Sequence, residues 1–331
     1  NILRVYERLL LPAVVPFARI ALNGTPINEK ALGREIRKHS KARDAAVREL
    51  ASITGLRADV AEKLAGSAQQ ITRYVREAYG LEIETSRAED LSDYVDQYPA
   101  LAAIQAFKHE RKMLSTYLEP WQRLVSSQGD GRLHSIYLLS ATRTGRLSAD
   151  LEEGGSLLLT PRDDWMRDLI ASLDPDWEIH AADYSQVELR MIAWLAPEPA
   201  MRTLYEEGAD LHATTAAYAK SGLPVQEFWR KRKALVRKVT KDERQAGKSN
   251  NFGWVFLMQA DRYQKYAKNN YGITLTLEEA ADAHDDFFKL YPGLQAWHDR
   301  VAREDYERGY TVNPFGRYRF GLTDLSQFIN T

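Results

Sequence analysis

The chain has no cysteine among its 331 residues, which excludes a disulfide framework and a thiolate metal site and fits a reducing cytoplasm without demanding it. It has no apolar run long enough to span a bilayer. Leu9 to Ala21 is too short and is broken by Pro12 and Pro16, and no signal peptide is recognisable. Internal repeats and low-complexity segments are also missing. So is a charge of one sign: the formal net charge of −1 argues against a uniformly basic nucleic-acid binder. That balance conceals a local excess, because Arg230 to Lys248 holds nine Lys or Arg against two acids. Such a run is ordinarily a solvated helical face, and it gains meaning only from the residues it runs into. The length is enough for two or three substructures with their own cores. A first residue of Asn reads as a fragment or a processed chain.

The most informative segment is Asp183 to Arg190, D-Y-S-Q-V-E-L-R. Glu178 to Ala182 alternates as a strand does, and Val187, Leu189, Ile192 and Leu195 supply an apolar helical stripe, which predicts a strand-to-helix junction at Asp183. Ser185 with Glu188 three residues on reads as a capping box. A carboxylate at such a junction is either a solvated turn residue or a ligand for a hard cation such as magnesium.

A second signal lies in R-Q-A-G-K-S-N-N-F-G-W-V-F. Arg244, Lys248, Phe252 and Phe256 recur every four residues and on a helix form one stripe, two cations followed by two rings. Cations one turn apart can grip successive phosphates, and a ring offers a base a stacking surface. The plainer reading is an amphipathic helix whose cations reach past an aromatic core edge. Gly247 and Gly253 count against it, since each costs a helix interior about 1 kcal/mol relative to Ala and so points to close approach by another segment or a ligand.

On these residues the chain resembles the family A DNA polymerases, typified by bacterial DNA polymerase I and many phage replicases. Asp183 to Arg190 resembles their motif A, and Arg244 to Phe256 their fingers helix, motif B. Further matches follow in the family's order: L-L-L-P-A-V-V-P-F-A-R-I-A-L-N-G at 9–24, K-M-L-S-T-Y at 112–117, T-R-T-G-R-L-S at 142–148, D-L-H-A-T-T-A at 210–216, F-F-K-L-Y-P-G-L-Q-A-W at 287–297 and G-Y-T-V-N-P-F-G-R at 309–317. The resemblance implies a mostly helical α+β fold of right-hand architecture. Residues 1–24 would be a palm-proximal segment, 25–130 the thumb, 131–205 the palm with its antiparallel sheet, 206–312 the helical fingers, and 313–331 the return to the palm. Apart from the resemblance, Ser67 reads as a helix cap, Thr276 with Glu279 as a capping box, Leu133 to Leu139 and Trp177 to Ala182 as strands, and Gly309 to Phe320 as a hairpin.

The same resemblance implies template-directed transfer of deoxynucleotides from dNTPs to a primer 3′-hydroxyl with two Mg2+ ions. Asp183 would ligate metal beside the Tyr184 backbone carbonyl. Arg244 and Lys248 would hold the triphosphate, Lys248 also serving as proton donor, with His212 approaching the phosphates. Phe252 and Phe256 would pack on the sugar and the nascent pair, and Phe rather than Tyr at 252 goes with rejection of dideoxynucleotides. Glu188 would block a ribose 2′-hydroxyl, and Gln186 and Arg190 would support the site. Arg146 would contact the primer-terminal minor groove, and Lys112, Ser115 and Thr116 the template-primer backbone. The implied partners are primer-template DNA and dNTPs, with no membrane.

Several positions depart from the family. Phe256 and Leu257 stand where Tyr and Gly are usual, which changes the pivot of the fingers helix; the run from Leu151 to Arg162 lacks an asparagine- and glutamine-bearing segment; and Ser326 replaces a common Arg. The sequence ends before the family's His-Asp-Glu hairpin, the source of the second catalytic aspartate. His284-Asp285-Asp286 and His298-Asp299-Arg300 imitate it in letters but sit in helical surroundings. The expectation is therefore a chain that grips primer-template but extends it only with a further C-terminal segment or second subunit, and that has no Asp-x-Glu proofreading site of its own. The rivals are a non-catalytic primer-template-binding subunit and a single-subunit RNA polymerase, against which Glu188 argues.

Overall fold

Apolar residues at helical spacing, punctuated by hydroxyl caps and glycine stops, build most of the chain. The computed structural model describes residues 2–83, 85–91, 94–150, 157–161, 163–172, 174 and 176–330. Up to Ala181 the helices are α1 (Ile2–Val5), α2 (Leu11–Asn23), α3 (Glu29–Thr54), α4 (Ala58–Gly66), α5 (Ala68–Tyr79), α6 (Ala88–Leu91), α7 (Pro99–Lys112), α8 (Glu119–Gln128) and α9 (Asp164–Arg167). Strands β1 (Thr25–Pro26) and β2 (Arg132–Leu133) pair antiparallel, as do β3 (Ile136–Leu138) and β4 (Ser148–Asp150). From Ala182 onward come α10 (Val187–Leu195), α11 (Pro199–Glu206), α12 (Leu211–Ser221), α13 (Val225–Val236), α14 (Lys241–Val255), α15 (Ala260–Tyr271), α16 (Leu277–Leu290), α17 (Pro292–Val301) and α18 (Leu325–Ile329). Strands β5 (Tyr310–Val312) and β6 (Tyr318–Phe320) form the expected hairpin, Tyr310 opposite Phe320. The fold is mostly helical α+β.

Two compact units result, Tyr6–Ala181 and Asn1–Val5 with Ala182–Thr331. In the first, the Asn28 side chain caps α3 through the Ala31 N–H at 3.0 Å, and α3 packs along α7. Leu50, Ile71, Val75, Leu101, Ile104 and Phe107 fill one core, and Leu32, Leu118, Trp121, Leu133 and Leu169 a second. Ser67 caps α5 as its sequence predicts, accepting from the Gln70 N–H at 3.4 Å. Beyond Lys112, α7 opens into a π-helical turn, Met113–Leu118, that buries Met113, Leu114, Tyr117 and Leu118. Lys112 and Ser115 are left exposed and Thr116 half-buried. An inserted π turn of this kind is frequent at functional sites.

In the second unit Leu189, Met201, Leu204, Leu211, Phe228, Trp254, Phe287, Tyr291 and Leu294 share a single core. Buried Glu198 staples it: one carboxylate oxygen accepts from the Ala200 N–H at 2.9 Å, capping α11, and the other from the Gly293 N–H at 2.6 Å in the first turn of α17. Burial pushes this carboxyl's pKa up, against the pull of the backbone donors. The Thr276–Glu279 capping box forms, and a second box, Thr240–Glu243, starts α14. The His284 and His298 triplets lie within α16 and α17, as read.

Three sequence expectations are corrected here. Leu133 to Leu139 is split between β2 and β3 instead of forming one strand. Residues 177–182 alternate but form no strand, because a strand needs a ladder partner and these have none among the described residues. The Ser185–Glu188 box is also absent: α10 begins at Val187 with Gln186 as its cap residue, and no side chain caps it. The segment 151–156 and Arg162, where the family's template contacts are in question, lie outside the described residues.

Candidate active site

Asp183 and Tyr184 lie exposed on the irregular stretch ahead of α10. The chain turns sharply at Gln186, whose φ of 54° is left-handed, a conformation that costs a non-glycine residue about 1 kcal/mol. Arg190 and Tyr205 brace the turn. Arg190 Nε donates to the Ser185 carbonyl at 2.9 Å, its guanidinium lies 4.4 Å from the Tyr205 ring centre, and the Tyr205 hydroxyl donates to Gln186 Oε1 at 3.2 Å. Gln186 and Arg190 shape the loop that carries Asp183. Glu188 is exposed in the first turn of α10.

The Tyr205 phenol is half-buried and its pKa is pushed up by desolvation, with the charges of Arg190 and Asp210 both felt. Asp210 lies at the start of α12. It caps the helix through the Ala213 N–H at 3.0 Å and receives Arg244 Nε at 2.6 Å. Burial opposes ionisation of Asp210, yet Arg244 and the Ala213 N–H hold its pKa below the usual carboxylate value.

Arg244, Lys248 and Phe252 do form one half-buried face of α14. Phe256 does not continue it. The helix closes at Val255 in a Schellman motif, the Leu257 N–H bonding the Trp254 carbonyl at 3.2 Å and the Met258 N–H the Gly253 carbonyl at 3.1 Å. Leu257 takes the left-handed position at φ 59°, where glycine is the unstrained choice. His298 Nε2 then donates to the freed Val255 carbonyl at 2.9 Å. Both glycines of α14 are sites of close approach. A Cβ on Gly247 would lie 2.1 Å from the His212 carbonyl oxygen of α12, and one on Gly253 2.6 Å from the Tyr263 ring of α15.

This approach places His212 against the cationic face. It is buried, 3% exposed, with its ring centre 6.1 Å from that of Phe252. Burial first, and then the Arg244 charge, lower its pKa from 6.5 to about 4, so the ring is neutral at pH 7. Because the folded pKa is the lower one, this contribution to stability is complete above pH 6.5 and is lost as pH falls through 4. Allowing for solvent screening it amounts to about 2 kcal/mol. Urea unfolding at pH 7 and pH 5 should show that loss in the native sequence and a smaller one in His212→Gln; equal losses would place the titration elsewhere.

The structure therefore gathers Arg244, Lys248, His212 and Phe252 around α12 and α14, and Gln186 and Arg190 around the Asp183 loop. Lys112, Ser115, Thr116 and Arg146 belong to the other unit, Arg146 exposed in a turn where Thr142 Oγ1 donates to its carbonyl at 2.6 Å. Sequence reasoning missed Asp210, Tyr205 and Asn251. Asn251 was recoverable, since it follows Gly247 by one turn and so faces the same neighbour. Among the described residues no three His, Cys, Asp or Glu side chains are grouped to hold a metal; the Asp183 carboxylate and the Tyr184 carbonyl are oxygen groups of the type a hard cation takes.

Comparison with known proteins gives this arrangement its setting. The chain is 32% identical over 235 residues to the thermostable DNA polymerase I of Thermus filiformis, covering 71% of this chain and 26% of that protein. It is 26% identical over 327 residues to DNA polymerase I of Pseudomonas aeruginosa, covering 96% of this chain and 33% of that protein. It thus spans about a quarter to a third of these relatives. In fold it is similar to the POL domain of Pol1 from M. smegmatis, solved in complex with DNA primer-template and dNTP, with a TM-score of 0.76, 21% identity, and coverage of 98% of this chain and 56% of that one. The family described as DNA polymerase family A matches residues 28–327, and the chain belongs to that family.

Proposed function

We propose that the chain forms the thumb, the fingers and part of the palm of a DNA-directed DNA polymerase that transfers deoxynucleotides from dNTPs to a primer 3′-hydroxyl. The observation that carries this reading is the cationic face of α14. Arg244 is tied to Asp210 through Nε alone, and Lys248 has no ion pair among the described residues. Both can therefore turn to the phosphates of a nucleotide whose base stacks on Phe252. His212, neutral, can donate a hydrogen bond to the same phosphates, and Lys248 is the proton donor to the leaving pyrophosphate. Two magnesium ions supply charge neutralisation at the phosphoryl group when bound, with Asp183 and the Tyr184 carbonyl among their ligands. The names of the relatives, and the DNA and dNTP in the M. smegmatis complex, support the same substrates. Lys112, Ser115, Thr116 and Arg146 are assigned to the template-primer.

One carboxylate does not complete a two-metal centre, so the reading includes a second aspartate from further polypeptide, fused or separate. In the unit Tyr6–Ala181, Leu9, Val15, Leu22, Ile136 and Trp177 are exposed apolar side chains of the kind such a segment would cover.

Glu188 decides between DNA and RNA synthesis. Glu188→Ala should raise ribonucleotide use relative to deoxynucleotides by removing the block on the 2′-hydroxyl, and Phe252→Tyr should raise dideoxynucleotide use. Primer-extension incorporation ratios, expected to rise about tenfold or more for each variant, check both. Ratios unchanged in both variants would remove α14 and the Asp183 loop from the nucleotide site. Failure to extend any primer even when the chain is supplied with the further polypeptide that completes the metal centre would favour the non-catalytic subunit.

A further inference from the structure

Behind His212 runs a chain of buried polar groups that the reaction as described does not use. Tyr291, of the Tyr-Pro-Gly corner ahead of α17, places its hydroxyl 3.0 Å from Thr215 Oγ1 on α12. Thr215 Oγ1 lies 3.0 Å from Asn251 Oδ1 on α14, and Asn251 Nδ2 lies 2.9 Å from His212 Nδ1. All four residues are at most 3% exposed. The approach of α12 to α14 at Gly247 makes the chain possible, since Asn251 reaches the ring of His212 one turn beyond the point where the His212 carbonyl nearly touches α14.

We propose that Asn251, Thr215 and Tyr291 are positioning residues that fix His212 as the Nε2–H tautomer, so that its outer nitrogen donates a hydrogen bond to the triphosphate of the incoming nucleotide. The inference rests on the reading of α14 as the nucleotide-binding helix. The direction of the chain is part of the proposal. Thr215 has one hydroxyl proton, within reach of both the Leu211 carbonyl and Asn251 Oδ1, each 3.0 Å from Oγ1, and shares it between them when the Tyr291 hydroxyl donates to Thr215 Oγ1 in turn. With Oδ1 accepting, the amide presents Nδ2 to the imidazole. Nδ1 must then be the unprotonated acceptor, and the neutral ring carries its proton on Nε2. Every donor points the same way, from the corner toward the cationic face, and aligned bonds in a buried chain polarise one another. Arg244 and Lys248 next to the ring disfavour a second proton, which keeps His212 a neutral donor beside two fixed cations.

The test uses 15N-histidine labelling of the chain, with His212 assigned by the signal lost in His212→Gln. At pH 7 two-bond nitrogen-proton spectra should show His212 protonated on Nε2 and bare on Nδ1. Asn251→Asp, whose carboxylate accepts but does not donate, should move the proton to Nδ1, and Tyr291→Phe, which keeps the packing, should give a mixture of tautomers. In the native polymerase, Asn251→Asp should raise KM for dNTPs about tenfold, the loss of one charge-assisted hydrogen bond, with kcat changed by less than about twofold. His212 protonated on Nδ1 in the unsubstituted protein, or a tautomer indifferent to Asn251→Asp and Tyr291→Phe, overturns the proposal. The expected tautomers with an unchanged KM overturn instead the assignment of α14 as the nucleotide site.

Discussion

Asp183→Asn is expected to lower the rate of nucleotide addition by about three orders of magnitude or more in the native polymerase, with fold and primer-template affinity nearly unchanged. A carboxylate that ligates magnesium contributes several kcal/mol of charge stabilisation to phosphoryl transfer, and a neutral amide of the same shape supplies neither the charge nor the second strong oxygen ligand. The fold should be indifferent because Asp183 is exposed. The loop that carries it is held by Arg190, Tyr205 and Gln186 instead. Single-turnover extension measures the rate, and thermal unfolding and DNA titration the controls. Turnover within about tenfold of the unsubstituted protein would remove Asp183 from the metal site.

Gly247→Ala is expected to destabilise the chain by about 3 kcal/mol, a value at the upper end for an added methyl because the obstacle is backbone. The added carbon would lie 2.1 Å from the His212 carbonyl oxygen and 3.0 Å from the Ala216 nitrogen, so α12 and α14 must separate. The sign makes the test sharp. At an unobstructed helix interior Ala is about 1 kcal/mol better than Gly, and Gly247→Ala would stabilise. Urea midpoints at constant m decide, with Gln245→Ala, exposed on the same helix, as the control expected to stay within about 0.5 kcal/mol. A stabilised Gly247→Ala would mean that α12 does not sit on α14 at this glycine, and the Asn251–His212 bond would fall with it.

Much of the fold was legible because its signals are local. The stops and starts at Ser67, Thr276 and the Gly309–Phe320 hairpin depend on hydrogen bonds within a few residues, and the sequence carries both partners. The same holds for the stripe Arg244, Lys248 and Phe252, which helical periodicity alone brings to one face. The unusual glycines were correctly read as marks of close approach, although the sequence could not say to what. Where reading failed, a distant partner decided. Residues 177–182 alternate like a strand but lack a ladder partner among the described residues. Ser185 looks like a cap, yet its carbonyl is taken by the Arg190 guanidinium and the helix starts two residues later. Phe256 keeps the spacing of the stripe, but the turn at Leu257 ends the helix before it.

By itself, then, the sequence determined the family, the helical α+β class and the residue types that can handle phosphate and metal, because motif order, periodicity and caps are encoded in neighbours along the chain. Only the tertiary structure decided that Asp210 holds Arg244, that Tyr205 braces the Asp183 loop, and that His212 is buried and neutral with Asn251 on its inner nitrogen. The reason is physical. Hydrogen-bond partners and desolvation are set by which helices meet, and the meeting of α12 with α14 is fixed by the one residue between them that has no side chain to keep them apart.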